Sequence, residues 1–185
     1  MQKTFQEIEN KTKHLEQWRP KLKNSVSTKD FLSLLAELEK LQIINSKLGV
    51  YAQLRFAEDS SNQEASALLS RVETFLTKIN NRLLFFGLWF KQLPEKEASR
   101  LIRSSGKYHY FLKKMYQLKP YILEEKEEKI INIKDVTGVS ALNSIYTILC
   151  SQFQFEFQGK KIGQEKLLTF VRSPSSQKRE AAYRT

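Results

Sequence analysis

Two histidines, one cysteine and a few dense clusters of charge are the residues from which this sequence could build chemistry. A zincin-type metal site needs two histidines one helical turn apart with a glutamate beside the first, so that both imidazoles meet one metal and the carboxylate reaches its water. His14 is followed by Leu15 and Glu16, and His109 by Tyr110 and Phe111, so neither meets that spacing. Both read as ordinary surface or half-buried histidines. Cys150, beside Leu149 on the apolar side of a helical pattern, reads as a small buried hydrophobe rather than a nucleophile. A single cysteine also excludes an internal disulfide and a multi-cysteine zinc site. The run Glu124-Glu125-Lys126-Glu127-Glu128-Lys129 is an acidic first turn that suits the positive end of a helix dipole, not a carboxylate pair for acid–base work. From Lys107 to Tyr116 bases mix with aromatics, which could stack on single-stranded nucleic acid. At helical spacing, however, Tyr108, Phe111, Leu112 and Met115 make a core face and Lys113 and Lys114 a solvated one. No glycine-rich phosphate loop occurs.

Composition narrows the setting. With 185 residues, 41% hydrophobic and 28% charged, and with 6 Gly and 4 Pro, the chain is neither collagen-like nor wholly disordered. The net charge of +11 sits at the two ends: seven basic against three acidic residues over 1–29, and seven against two over 160–185. That is not a basic stripe along one helix. Met1 to Glu9 carries charge where a signal peptide needs an apolar region. The apolar run Leu83 to Phe90 stops after 8 residues, far short of the ~20 that cross a bilayer. Val136 to Phe155 is uncharged but too polar to span one. A cytoplasmic, soluble protein is expected.

The elements that must position these residues follow from periodicity. Phe5, Ile8, Leu15 and Trp18 mark a polar helix ending near Pro20. A basic, structure-poor connection begins at Arg19, so residues 1–18 read as an N-terminal helix, 19–29 as a linker and 30–185 as the main helical lobe. Start signals at Ser27, Thr28 and Asp30 lead into Phe31, Leu34, Leu35, Leu38, Leu41, Leu48 and Ala52, one buried face. A helix over 28–58 would be roughly 45 Å long and needs a long partner. Past the loop Asp59 to Asn62, a second long pattern runs from Ala65 to Trp89, giving an antiparallel helical hairpin. Its end, Leu83 to Phe90, is apolar all round and must be covered on several sides, by this chain or another.

Shorter pieces follow. Pro94 opens a helix that ends before Ser104, and Tyr108 to Leu118 forms another that stops at Pro120. A charged helix starts at Glu124. Gly138 is expected to break the pattern, with Val139, Leu142, Ile145, Tyr146 and Leu149 starting a new amphipathic helix. Phe153, Phe155 and Phe157 alternate with polar residues, and Gly159-Lys160 fits a two-residue hairpin turn. Gln164 to Val171 is helical, and Ser173-Pro174 supplies a cap and first-turn proline for a last helix. That helix has no closing residue before Thr185, which reads as a cut. The fold class is all-α, mainly a helical bundle with a long antiparallel helical hairpin, plus one small β-hairpin near residues 153–163.

Four ordered stretches carry a family resemblance, from about residue 18 to the last. Tyr51-Ala52-Gln53-Leu54-Arg55-Phe56-Ala57-Glu58-Asp59 resembles the N-terminal region of oligoendopeptidase F, of the thimet-type zinc metallopeptidases. Leu118-Lys119-Pro120-Tyr121-Ile122-Leu123 through Glu127-Glu128-Lys129 is similar to that family's L-K-P-h-x-L-s-x-x-E-E-K segment, with Glu124 replacing the small polar residue. Val136-Thr137-Gly138-Val139-Ser140-Ala141 through Phe153-Gln154-Phe155-Glu156 is similar to its T-G-x-x-A helix and following hairpin. Ser173-Pro174 with Arg179-Glu180-Ala181-Ala182-Tyr183 is similar to its S-P-x-x-x-x-R-x-x-A-Y helix. The resemblance implies a helical N-terminal lobe of a cytoplasmic peptidase that cleaves short peptides, forming one wall of a channel. The family's HExxH helix and downstream glutamate would lie beyond Thr185. No catalytic or metal residue carries over, so this chain alone is expected to bind no catalytic zinc and to hydrolyse nothing. The implied partners are oligopeptides and the chain's own C-terminal catalytic domain, with self-association of an isolated lobe.

Within the matching stretch, Tyr51 and Arg55 stand one turn apart on one helix face. They are the candidate substrate-binding residues, Arg55 through its planar fork toward a peptide carboxylate. The alternative is packing by Tyr51 and an ion pair of Arg55 with Glu58 or Asp59. Two other functions stay open: a non-catalytic helical protein-binding module, and a basic nucleic-acid-binding helical domain whose affinity would fall steeply with salt.

Overall fold

Side-chain caps set the ends of the two longest helices. In the computed structural model, which describes residues 1–185, the Ser27 hydroxyl accepts the Asp30 backbone N–H and starts α2 (Thr28–Glu58), preceded by α1 (Gln2–Glu16). The Asn62 side chain accepts from Glu64 and Ala65 and starts α3 (Gln63–Gln92). Each cap satisfies backbone donors that a helix start otherwise leaves unpaired. The α2–α3 hairpin is closed by the expected Asp59–Asn62 loop. Phe31 of α2 stacks on Phe86 and Phe90 of α3, and Phe85, Phe86, Leu88 and Phe90 are all buried, so most of the apolar end of α3 is covered by this chain itself.

α1 lies along the hairpin with Ile8 and Leu15 buried in the same core. The connection after it, expected to be structure-poor, is held in place. Residues Arg19–Lys21 form a 3-10 turn, Val26 is buried, and the Val26 carbonyl accepts from Arg100 Nη2 at 2.8 Å.

After α3 come α4 (Glu95–Arg103), α5 (His109–Gln117) and α6 (Glu125–Asp135). Pro94 caps α4 as its last non-helical residue, and Tyr116 and Lys119 both donate to the Leu93 carbonyl at the preceding bend. α6 starts with a reciprocal capping box between Glu124 and Glu127. It is fixed to the hairpin by Asn132 Nδ2 to Asn81 Oδ1 at 2.7 Å and by Arg19 to Glu125 at 2.6 Å.

Three boundaries differ from expectation. Gly138 does not break the chain: a π-turn (Val136–Ser140) carries α6 straight into α7 (Ala141–Gln152), because one wider turn absorbs the glycine without ending the helix. The strands β1 (Gln154–Phe157) and β2 (Lys160–Gly163) pair Phe157 with Lys160, so the turn is Gln158-Gly159, one residue earlier than Gly159-Lys160. Both turn residues have positive φ, 52° and 74°, the geometry whose twist matches a two-stranded ribbon. The last helix, α9 (Ser176–Tyr183), is capped by Ser175 rather than by Ser173, which follows α8 (Gln164–Val171).

The burial is uneven. Eighteen buried apolar residues between Ile8 and Leu112 form the main core, while Phe157, Ile162, Leu167 and Ala182 form a small second one. No residue from 113 to 156 is buried. α7 is helical as expected, but its amphipathic face has nothing over it: Leu142 is 66% exposed, and Ile145, Leu149 and Phe153 are exposed as well. No helix is long and apolar enough to cross a membrane.

Candidate functional site

The residues singled out for metal chemistry lie on different elements. His14 Nδ1 of α1 is 3.2 Å from Glu37 Oε2 of α2, and His109 Nδ1 is 3.1 Å from the Ile102 carbonyl. No three histidine, cysteine or carboxylate side chains converge as a metal site would require. Cys150 is only half-buried, on a helix with no buried residue, so it is not the core side chain expected. Its thiol holds the Tyr146 phenol, one turn earlier, above the ordinary tyrosine range.

The acidic cluster is structural. Glu124 and Glu127 cap α6, and the Glu125 carboxylate is held below the usual range by Lys129 and, less strongly, by Arg19. The basic aromatic run is also engaged. Lys107 and Tyr108 both donate to Glu39 of α2, at 2.6 and 2.8 Å, and the lysine's hydrogen bond lowers the glutamate's pKa. Leu112 is buried as expected, but Phe111 is 53% exposed and borders a cleft instead of filling the core.

Tyr51 and Arg55 share an outward face of α2. Tyr51 is half-exposed, and Arg55 Nη1 meets Glu58 Oε2 at 3.0 Å, one of the two ion-pair partners named from the sequence. Neither residue borders the cleft described next.

That cleft, about 870 Å³, opens between α2, α3 and α5, with Glu128 of α6 at its edge. Its size falls within the usual range for ligand pockets, roughly 300–1,000 Å³. Leu38, Leu83, Leu84, Leu88 and Met115 make it largely apolar. Asn45, 5% exposed, lines it, and its side-chain oxygen has no hydrogen-bond partner. Gly87 lines it from α3, with no atom within 4 Å of the place a Cβ would occupy. Sequence reasoning missed this site. Its signals were an asparagine in step with Leu41, Leu48 and Ala52 on the buried face of α2, and a glycine inside the apolar run of α3. The arrangement can bind an apolar group.

Residues 89–155 match an N-terminal peptidase family model described as oligopeptidase F. The match takes in the segment around Leu118 to Lys129 and the helix and strand from Val136 onward, two of the four stretches that carried the resemblance. Oligoendopeptidase-F from Enterococcus faecium superposes on 99% of this chain with a TM-score of 0.74 at 16% identity. A "putative peptidase" from Chlamydophila abortus aligns over 85% of this chain and 28% of its own length, with a TM-score of 0.49 and 20% identity. No curated protein matches the chain. The chain spans 36% of the length of the Enterococcus faecium protein. Residues 89–155 thus carry the oligopeptidase F family pattern, within a chain that has the fold of the corresponding part of oligoendopeptidase-F along its whole length.

Proposed function

We propose that this chain is the N-terminal, substrate-channel lobe of a cytoplasmic oligopeptidase F-type zinc peptidase that hydrolyses short peptides, with catalysis belonging to a further domain. The observation that carries the reading is where the family pattern falls. It covers α4 to α7, the stretch that leaves Ile130, Ile133, Leu142, Ile145 and Leu149 facing outward. Scattered exposed apolar residues are ordinary, but a concentration of them along two consecutive helices marks an interaction face. On this reading the catalytic domain covers that row.

The residues of this chain do not fit zinc. His14 has one carboxylate beside it and no third ligand, and His109 faces a backbone carbonyl. On this reading zinc chemistry belongs to the catalytic domain, and the lobe alone is expected to hydrolyse nothing. Its own part is to bind and orient peptide. Tyr51 and Arg55 are proposed contacts: the Arg55–Glu58 pair is exposed and weakly held, so the guanidinium is free to exchange Glu58 for a peptide carboxylate.

The test is to read the coding sequence past the Thr185 codon, express the longer product and follow cleavage of a fluorescence-quenched heptapeptide. Cleavage removed by a chelator and restored by zinc is expected, with a raised KM and retained zinc in Arg55→Ala. An immediate stop codon would leave the binding-module reading, for which the same exposed row is the partner face. A longer product that cleaves no peptide would also overturn the proposal.

A further inference from the structure

The basic, aromatic run from Lys107 to Tyr116 does not fill the core as its helical spacing predicts. Of its four expected core residues, Leu112 is buried, Tyr108 and Met115 are partly so, and Phe111 is exposed. Tyr110, Lys113, Lys114 and Gln117 lie on the side of α5 opposite Leu112 and are all exposed. Phe111 and Leu118 flank that face, and Tyr121 follows it, 79% exposed against 70% for Tyr110. The helix beneath is held at both ends. Lys107 and Tyr108 bond Glu39 at its start, and Tyr116 and Lys119 donate to the Leu93 carbonyl at its end, so the outer rings and cations are presented in a fixed arrangement.

The charge of this face is one-sided. Ala98 to Leu123 contains six basic residues and no acidic one. Glu97 takes Arg100 and Glu39 takes Lys107, whereas Arg103, Lys113 and Lys114 are exposed without a carboxylate partner. The Lys114 ammonium is 5.7 Å from the centroid of the Tyr110 ring. His109 Nδ1, 3.1 Å from the Ile102 carbonyl, brings the end of α4 that carries Arg103 against the start of α5. The carboxylates that follow in the chain do not oppose these cations. Glu124 and Glu127 close the capping box on their own backbone, and Glu125 is paired with Arg19 and Lys129. Glu128 stands at the edge of the cleft, on the Phe111 flank of α5, with Lys113 on the other flank.

Exposed rings interleaved with unpaired cations fit a polyanion whose units carry flat faces. Phosphates meet the cations, and unstacked bases lie on the rings. A duplex hides its base faces and would use the cations alone. An acidic polypeptide would likewise leave the rings without a partner, and a membrane would take up the uncharged apolar surface of α7 before this short, mixed face. We propose that the outer face of α5 is a binding site for single-stranded nucleic acid, with Arg103, Lys113 and Lys114 on phosphates and Tyr110, Phe111 and Tyr121 under bases. The site is independent of the peptidase reading and lies on a different helix from Tyr51 and Arg55.

The experiment is fluorescence anisotropy of the 185-residue chain with fluorescein-labelled oligothymidylate and oligouridylate of about 15 nucleotides, from about 50 to about 200 mM salt. Binding is expected to weaken with salt at a logarithmic slope of about −2, or about −0.7 for each of three phosphate contacts. Lys113→Glu combined with Lys114→Glu should lower affinity about tenfold or more and bring the slope to about −0.7. Tyr110→Ser and Phe111→Ser should each weaken binding about fivefold or more and leave the slope unchanged, because stacking releases no counterions. Tyr110→Phe, which keeps the ring, should retain binding. That split separates a built face from the general attraction of a chain of net charge +11. Lys160→Glu combined with Lys161→Glu removes the same charge from the β-hairpin and should cost no more than about twofold. A loss there equal to that of the α5 pair, unchanged affinity in both serine variants, or no binding at millimolar protein overturns the site. Tighter binding to a duplex of the same length, to polyglutamate or to phosphatidylglycerol vesicles overturns single-stranded nucleic acid as the ligand. None of these readouts depends on zinc or on cleavage, so the outcome leaves the peptidase reading untouched.

Discussion

Arg82 joins α1 to the hairpin, and the strength of that junction can be worked out from its geometry. Its Nε and Nη2 meet both oxygens of Glu16 at 2.7 and 2.6 Å, and its Nη1 meets Glu9 at 2.6 Å. All three side chains are roughly a third exposed, so solvent screens the pairs and they fall near the upper end of the surface range. The bidentate arm contributes about 1 kcal/mol and the single arm about 0.5 kcal/mol. Arg82→Met keeps the apolar stem over the core and removes the fork. At about 2–4 °C per kcal/mol for a chain of this size, the Tm should fall by about 3–6 °C at pH 7. The pH dependence gives a sharper check. The Arg82 hydrogen bond lowers the Glu16 pKa, so this stabilisation is fully present above the unfolded glutamate value of about 4.3 and is lost as pH falls through the lowered folded value. Thermal melts by circular dichroism should therefore show a constant gap between wild type and variant from pH 7 to about 5, closing below about 4. A gap that persists undiminished well below that, or no gap at pH 7, would refute the clamp.

Four further outcomes follow from the fold. Gly87→Ala should raise stability by about 1 kcal/mol in urea unfolding, since it adds helix propensity where no atom opposes a methyl group; destabilisation would show that the open space is occupied. Replacing Leu142, Ile145 and Leu149 together by serine should move the Tm of the chain by no more than about 4 °C and suppress self-association in sedimentation, because each of these side chains is more than half exposed here. Phe90→Ala, deep in the aromatic cluster, should by contrast remove about 3–5 kcal/mol. Gln158→Asn should raise the Tm by about 1–2 °C, since asparagine tolerates the positive φ at the first position of this turn better than glutamine.

The hairpin was legible because its signals agree at every level. Ser27 and Asn62 cap the two helices, the apolar spacing of 3, 4 and 7 runs from Phe31 to Ala52, and the polar Asp59–Asn62 loop has room for little but a reversal. Gly138 misled because glycine disfavours a helix only weakly, and a π-turn accommodates one extra residue while the flanking helices stay in line. The turn at Gln158-Gly159 misled for a related reason. Glycine was assigned the first turn position, whereas pairing of Phe157 with Lys160 makes it the second and forces glutamine into the left-handed region.

The cleft was hidden for a different reason, and the reason bears on function. Periodicity reports which side of a helix is apolar, not whether another element lies over it. The apolar spacing of α2 continues through Asn45, and the apolar run of α3 continues through Gly87, so both residues look like minor flaws in a core face. In the fold, α1 takes one side of the hairpin, α5 and the start of α6 only partly cover the cleft, and the two flaws line the same opening. The same holds for α7, whose pattern is that of a packed helix and whose face is bare. Patterning that exceeds the burial available within the chain is the mark of surface meant for a second body. Here the two surplus surfaces differ in kind. α7 offers a convex apolar row suited to a domain, whereas the cleft is concave, about 870 Å³ in volume and largely apolar, which suits a small apolar group.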